Sequence, residues 1–338
     1  MLSNQGYLYV QVQSSGRIGT KKKKMSNPTV LPADPFDAAE DAKTLKKAFK
    51  GFGSDEKAII GVIAKRSLEQ RMEIVKEFKT LYGEDLLEEL KSELRGNFED
   101  VIVALMTNPV DFQAKALYKA LSGLGTDEDT LVEVLAIHDN EEVKVISTVY
   151  EELYETSLES DIKGDTSGTV KRLFVSLSVG GRDESEHTNR ELAYKDAQTL
   201  LRAGELIQGT DESTFNAILC QRNRSQLKLI FEEYEKLTGH EFEQAIKNEF
   251  SGTAKSTLLN LIHCIRDKYD YLATRLHKSM DRLGTDDRTL IRIIVSRSEI
   301  DLGTIKQVFE SKYGKSLADW ITDDTSGDYK RCLLEIVG

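Results

Sequence analysis

The chain has no uninterrupted apolar run of the roughly 18 residues that a membrane-crossing helix needs. It has only four prolines in 338 residues, which leaves room for long helices. Its three cysteines, Cys220, Cys264 and Cys332, are odd in number and widely spaced. That excludes a disulfide framework or a cysteine metal cluster and predicts buried thiols in a reducing compartment. The opening Met1-Leu2-Ser3-Asn4-Gln5-Gly6 has neither a basic leader nor an apolar segment, so no secretory signal is expected and a cytoplasmic location is. No catalytic set is visible. His138, His187, His240, His263 and His277 lack zinc-ligand spacing, and there is no Gly-x-Ser-x-Gly or phosphate-binding glycine loop. Cys264 beside His263 is no exception, because adjacent residues do not face one another on a helix. Positive charge is also short, at 46 basic against 57 acidic residues and a net charge of −11. This argues against nucleic acid as a partner. It also disfavours an acidic lipid surface unless a cation lies between the two.

What is present is repetition. Four strings match: Gly51-Phe52-Gly53-Ser54-Asp55-Glu56, Gly123-Leu124-Gly125-Thr126-Asp127-Glu128, Ile207-Gln208-Gly209-Thr210-Asp211-Glu212 and Arg282-Leu283-Gly284-Thr285-Asp286-Asp287. Forty residues after the shared glycine comes an acid, Glu93, Asp165, Glu249 or Asp324, and three further on a glycine, Gly96, Gly168, Gly252 or Gly327. Thirteen residues after the shared glycine stands Arg66, His138, Arg222 or Arg297. Such periodic self-similarity marks a repeat architecture. It divides the chain into a tail at 1–35, units at 36–107 and 108–180, a polar linker at 181–191, and units at 192–266 and 267–338. The glycine-bearing linker reads as a hinge between two halves of two units each.

Within a unit the period is helical. Phe98, Val101, Ile102 and Leu105 follow the spacing of a buried stripe, as do Val170, Leu173, Phe174 and Leu177. Ala254, Leu258, Leu261 and Ile262, and Tyr329, Cys332, Leu333 and Ile336, repeat it in the later units. Ser54, Thr126, Thr210 and Thr285 occupy expected N-cap positions, and Gly83 and Gly314 expected left-handed helix ends. About five short helices per unit and an all-α fold follow. Strand alternation occurs only briefly, at residues 7–12. The tail carries the basic block Lys21 to Lys24 and reads as flexible, adding at most weak attraction to acidic lipid.

The paired loop and acid suit calcium, which takes six to eight oxygens from carbonyls, carboxylates and water. Glycines two apart let a tight loop turn carbonyls toward one point, and a carboxylate forty residues on can close the shell if the loops are adjacent. Taken singly, each piece is an ordinary helix cap; the fourfold pairing favours metal. The EF-hand ligand pattern is absent, so the site must be split. A few carbonyls and one carboxylate leave positions for water or a lipid phosphate. Phe52, Leu124 and Leu283 hold the middle of three loops and could enter a lipid interface, whereas the third unit has Gln208 there, with Leu206 and Ile207 nearby. Arg66, Arg222 and Arg297 are expected to donate to carbonyls at helix ends, and His138 to make a different, pH-sensitive tie in unit two. Trp320 is expected to pack within unit four.

With these loops, the Gly164-Asp165-Thr166-Ser167-Gly168 and Asp324-Thr325-Ser326-Gly327 strings, and Val295-Ser296-Arg297-Ser298-Glu299-Ile300-Asp301, the chain resembles the annexin family over roughly residues 36–338. It looks nearer to invertebrate members than to any one vertebrate type. The resemblance implies four annexin-type repeats in a curved all-α disc that binds acidic phospholipid such as phosphatidylserine through calcium. The missing catalytic set argues against an enzyme, and the reading leaves room for bridging of bilayers, a role in trafficking and self-association on the membrane. The resemblance also implies calcium ligands: the carbonyls of Phe49, Gly51 and Gly53 with Glu93; Leu121, Gly123 and Gly125 with Asp165; Gly204, Ile207 and Gly209 with Glu249; and Met280, Arg282 and Gly284 with Asp324. Arg282 stands where the family usually has glycine, which makes the fourth site the weakest. The tail shows no amphipathic helix of the kind that recruits EF-hand partners. The rival reading is a helical-repeat scaffold for protein partners, with the loops as mere caps.

Overall fold

A computed structural model describes residues 27–50, 53–123, 125–281 and 284–338. Among them are twenty α-helices and no strand; the alternation at residues 7–12 and the Lys21–Lys24 block lie outside the described residues. Unit one contains α1 (Ala38–Ala48), α2 (Glu56–Ile63), α3 (Leu68–Tyr82), α4 (Leu86–Glu93) and α5 (Gly96–Met106). Unit two contains α6 (Pro109–Leu121), α7 (Glu128–Ile137), α8 (Asn140–Tyr154), α9 (Leu158–Asp165) and α10 (Gly168–Ser178). Unit three contains α11 (Arg190–Ala203), α12 (Glu212–Gln221), α13 (Arg224–Thr238), α14 (Phe242–Glu249) and α15 (Gly252–Arg266). Unit four contains α16 (Lys268–Met280), α17 (Asp287–Ser298), α18 (Leu302–Tyr313), α19 (Leu317–Asp324) and α20 (Gly327–Val337).

The apolar stripes face inward. Val101, Ile102, Phe174, Leu261, Ile262, Cys332 and Leu333 are fully buried, while Ala254 is packed only partly against the core. All three cysteines are free and buried. Burial pushes the Cys220 thiol up to about 12 and that of Cys264 to about 11, so neither is a nucleophile at neutral pH. His263 turns to Asp270 instead, at 2.5 Å. Trp320 packs in unit four against His277, with ring centroids 4.6 Å apart.

Units that touch are not always neighbours in sequence. Helix α5 packs on α17 and α20, and α20 on α2, joining units one and four; α15 packs on α7, and α10 on α12 and α15, joining units two and three. The 181–191 segment therefore lies inside the two–three pair, and it is no hinge. Arg182 Nη1 donates to the carbonyls of Leu219 and Arg222, both at 2.8 Å. The Asp183 N–H donates to Gln221, and Asn189 exchanges two hydrogen bonds with the Gln226 side chain at 2.7 and 2.9 Å. Residues 27–35, expected to be flexible tail, form the same kind of strap across units four and one. Thr29 and Val30 donate to the Ser298 carbonyl, and Ala33 exchanges two bonds with Gln70 at 2.8 and 2.9 Å. Backbone groups paired with a neighbouring unit in this way hold each strap against it.

Glycine ends α3, α13 and α18 in the left-handed conformation, Gly83 at φ +71°, Gly239 at +80° and Gly314 at +69°. Unit two uses Glu155 there, at φ +57°. A side chain in that conformation costs about 1–2 kcal/mol. Glu155→Gly should therefore stabilise the protein by about 1 kcal/mol, read as a higher midpoint in urea unfolding; a lower midpoint would contradict this origin of the strain.

Candidate metal centres

Each candidate centre is built at two helix junctions, the loop before α2, α7, α12 or α17 and the two-residue link before α5, α10, α15 or α20. The loop is shut by a main-chain bond from the aspartate N–H back to the preceding helix: Asp55 to Ala48 at 2.9 Å, Asp127 to Ala120 at 2.9 Å, Asp211 to Ala203 at 2.7 Å and Asp286 to Ser279 at 2.8 Å. The shared glycines Gly53, Gly125, Gly209 and Gly284 lie at φ +94°, +85°, +88° and +88°, and Gly96, Gly168, Gly252 and Gly327 at +63°, +56°, +53° and +63°. Glycine takes up such values without strain, so the glycines at both junctions are required by backbone geometry.

The N-cap expectation is off by one residue. The caps are Asp55, Asp127, Asp211 and Asp286, whose carboxylates accept from main-chain N–H groups two or three residues on. At Asp211 the hydroxyls of Ser213 and Thr214 help hold the carboxyl down to about 2. Longer by one bond than a threonine hydroxyl, the aspartate carboxylate reaches the first-turn donors and frees the threonine for another partner. That partner is the distant acid. Thr126 Oγ1 donates to Asp165 Oδ2, Thr210 Oγ1 to Glu249 Oε2 and Thr285 Oγ1 to Asp324 Oδ2, each at 2.6 Å. Loop and acid thus meet in units two, three and four. In unit three a methyl group on Gly204 would sit 3.1 Å from the Glu249 side chain, so this loop glycine lies directly against the acid. In unit one Ser54 Oγ bonds to Glu56 instead, at 3.0 Å, while Glu56 and Glu93 line one cleft. Sequence reasoning missed the hydroxyl ties, although a Ser or Thr after every shared glycine signalled them.

The remaining donors are main-chain oxygens. Leu121 and Met280 bury their side chains, and Phe49 packs its ring against Phe78, which leaves only their carbonyls for the loop. Among the described residues no main-chain N–H donates to the carbonyls of Phe49, Leu121, Ile207 or Met280, whereas that of Gly204 accepts from Ile207 at 3.0 Å. Gly123 faces the Gly125 carbonyl. Gly51 and Arg282 lie outside the described residues, as do Phe52, Leu124 and Leu283. Among the described residues no three acidic, histidine or cysteine side chains gather as a metal cluster. Such a donor set suits a hard cation content with carbonyls, a carboxylate and water, and does not suit zinc. Negative charge crowds the loop all the same. Burial first, then the carboxylates of Asp127, Asp129 and Asp165, push the Glu128 carboxyl up.

The arginines thirteen residues past the glycine bind carboxylates, not helix-end carbonyls. Arg66 grips Asp41 through two bonds of 2.6 and 2.8 Å, Arg222 grips Asp196 at 2.7 and 3.0 Å, and Arg297 grips Asp301 at 2.7 and 2.6 Å. A planar fork matches a carboxylate in two places at once, which outcompetes single carbonyl contacts. Carbonyl duty falls to Arg71, Arg182 and Arg224. His138 makes the different tie expected of it, Nδ1 to the Val134 carbonyl at 2.7 Å.

The annexin family model matches residues 40–105, 112–177, 195–261 and 271–336, one match for each set of five helices. The chain belongs to the annexin family. It is similar to annexin A4 of Bos taurus, 51% identical over 310 residues that span 92% of this chain and 97% of that one. Among solved structures it superposes on annexin III with a TM-score of 0.89 and 44% identity, covering 92% of this chain and 97% of that one. It superposes on calcium-bound annexin (Sm)1 with a TM-score of 0.80 and 35% identity, over 93% and 94%. The expected leaning toward invertebrate annexins gains nothing from the mammalian A4 match.

Burial is the main cause that pulls the His138 pKa below its usual value, against the raising effects of Val134, Glu142 and Glu133, while Arg297 adds to the lowering. Its neutral form is the folded one. Stability is then present above about pH 6.5, the unfolded value, and is lost as the pH falls through it. Between pH 7.5 and 5.5 the wild type should lose more thermal stability than His138→Gln; parallel losses would remove His138 as the cause.

Proposed function

We propose that this annexin binds acidic phospholipid surfaces in calcium, the ion bridging a protein of net charge −11 to a surface of the same sign. The observation that carries the reading is the meeting of each loop with its distant acid through the 2.6 Å hydroxyl bonds of units two, three and four. The ligands would be Phe49, Gly51 and Gly53 with Glu93; Leu121, Gly123 and Gly125 with Asp165; Gly204, Ile207 and Gly209 with Glu249; and Met280, Arg282 and Gly284 with Asp324. The glycines, the half-buried Phe49 and the buried Leu121 and Met280 would contribute carbonyls, and each acid one or two oxygens. Calcium would supply the positive charge and open positions for a lipid phosphate oxygen.

Apolar contact would add to the bridge. Leu206 is 63% exposed and Ile207 50%, side by side on the third loop. The third repeat, expected to insert less because Gln208 holds the middle of its loop, offers this pair instead. Among the described residues no helix is long and apolar enough to cross a membrane, which agrees with reversible attachment to a surface. A cytoplasmic setting, bridging of bilayers and self-association on the membrane belong to the same reading.

The protein should sediment with phosphatidylserine vesicles in calcium and be released by a chelator. Glu93→Gln and Asp165→Asn should each raise the calcium midpoint several-fold with helicity unchanged by circular dichroism. Binding that persists in excess chelator would end the proposal, and unchanged midpoints in both variants would end the ligand assignment.

A further inference from the structure

The third metal loop is longer than its counterparts. The main-chain bond that shuts the loop runs back seven residues in repeats one, two and four, from Asp55 to Ala48, Asp127 to Ala120 and Asp286 to Ser279. In repeat three it runs back eight, from Asp211 to Ala203. An added residue gives a loop more conformations to choose from, so something must select the one that stands over Glu249. Main-chain bonds do part of this, from the Leu206 N–H to the Leu201 carbonyl at 3.1 Å and from the Ile207 N–H to Gly204 at 3.0 Å.

Glu205 supplies a side-chain brace. Its half-buried carboxylate accepts from the Tyr234 hydroxyl at 2.7 Å and from the Asn248 side-chain amide at 3.2 Å, with His240 Nε2 also 3.2 Å away. Tyr234 lies in α13 and is fully buried. Burial first, then the bond to Glu205, push its hydroxyl far above the usual tyrosine value, so it stays a donor. Asn248 lies in α14 immediately before Glu249, and Gln244 holds its amide oxygen at 2.9 Å. The brace therefore links the loop to the helix end that carries the acid.

The other repeats are built differently. Five residues before the left-handed helix end, where repeat three has Tyr234, repeats one and four have Phe78 and Phe309, which carry no hydroxyl. Repeat two has Tyr150, whose hydroxyl donates to Asp161 in α9 at 2.7 Å and not to a loop. Before the acid, in place of Asn248, stand Ser92, Gly164 and Asp323. The long loop and its brace occur together.

We propose that Glu205 is a positioning residue for the third calcium centre, holding the long loop over Glu249 with Leu206 and Ile207 turned outward. The proposal rests on the calcium-bridging function above. Oε2 of Glu205 serves Tyr234 and Oε1 serves Asn248, whereas Glu249 Oε1 has no hydrogen bond among the described residues and is left for the metal. Removing the Glu205 charge weakens the acceptor for a buried hydroxyl, and the loop regains the freedom of its added residue.

The test is the calcium midpoint for sedimentation of the full chain with phosphatidylserine vesicles, measured in a double-mutant cycle of Glu205→Gln and Glu249→Gln. Glu249→Gln should raise the midpoint. Glu205→Gln alone should raise it about threefold, the lower range of one hydrogen bond, and should add nothing in the Glu249→Gln background. Tyr234→Phe, which deletes only the hydroxyl, should act in the same direction and also add nothing there. A residue that merely supports the fold would shift the midpoint equally in both backgrounds, and that result overturns the proposal. Unchanged midpoints in Glu205→Gln and Tyr234→Phe overturn it as well. Where circular dichroism shows that Glu205→Gln does not fold, Tyr234→Phe carries the same cycle. A Glu249→Gln midpoint equal to that of the wild type removes the third centre, and the role of Glu205 with it, while the other centres stand. A wild type that stays unbound in calcium overturns the bridging function itself.

Discussion

A hydroxyl just before one helix and a carboxylate at the end of another, separated by some forty residues of chain, lie 2.6 Å apart three times over in this molecule. Each bond requires two tight junctions to face one another. Each junction in turn requires a glycine at positive φ, Gly125 and Gly168 in repeat two for example. The threonine side chain is stiff because it is β-branched, so its hydroxyl bond holds the carboxylate toward the loop. Repeat one departs from this. Ser54 turns to Glu56, and Glu93 is left facing the cleft shared with repeat four. Among the described residues its acid lacks the hydroxyl bond that the other three accept.

Charge explains why, in the proposed function, such sites would need a metal to act at a membrane. An acidic protein approaching an acidic surface is repelled, and the crowded carboxylates around Glu128 and Asp165 sharpen the local field. A bound divalent ion reverses the sign of that field only where it sits. In the proposed function, attachment would then be a local property of the loops, switched by calcium and assisted by exposed apolar side chains such as Leu206 and Ile207.

The rest of the architecture keeps those loops in place. Repeats one and four, and two and three, are packed together through the same helices and laced by equivalent straps at residues 27–35 and 180–189. Between repeats two and four, Arg292 holds Glu133 through two buried bonds of 2.8 and 2.9 Å. A buried pair of this kind contributes little net stability when intact, but losing one partner is costly. It ties repeat two to repeat four, across the two pairs of repeats.

Much of this was legible in the residues. The fourfold string, the forty-residue offset and the helical stripes predict twenty short helices and a split site, because helix periodicity and positive-φ glycines are local properties. The N-cap was misplaced by one residue, since Thr126 and Asp127 are both good caps and only the presence of Asp165 decides between them. Arg66 and Arg222 looked like carbonyl donors until the fold brought Asp41 and Asp196 within reach. The linker looked like a hinge because polar, glycine-bearing segments do; its partners Gln221, Asn223 and Gln226 lie across a packed interface. The sequence by itself determined the helices, the repeat and the residue types at the candidate sites. Only the tertiary structure decided which repeats touch, which hydroxyl orients which acid, and that Tyr234 and Asn248 meet at Glu205. Those contacts join residues far apart in the chain, and no local preference records them.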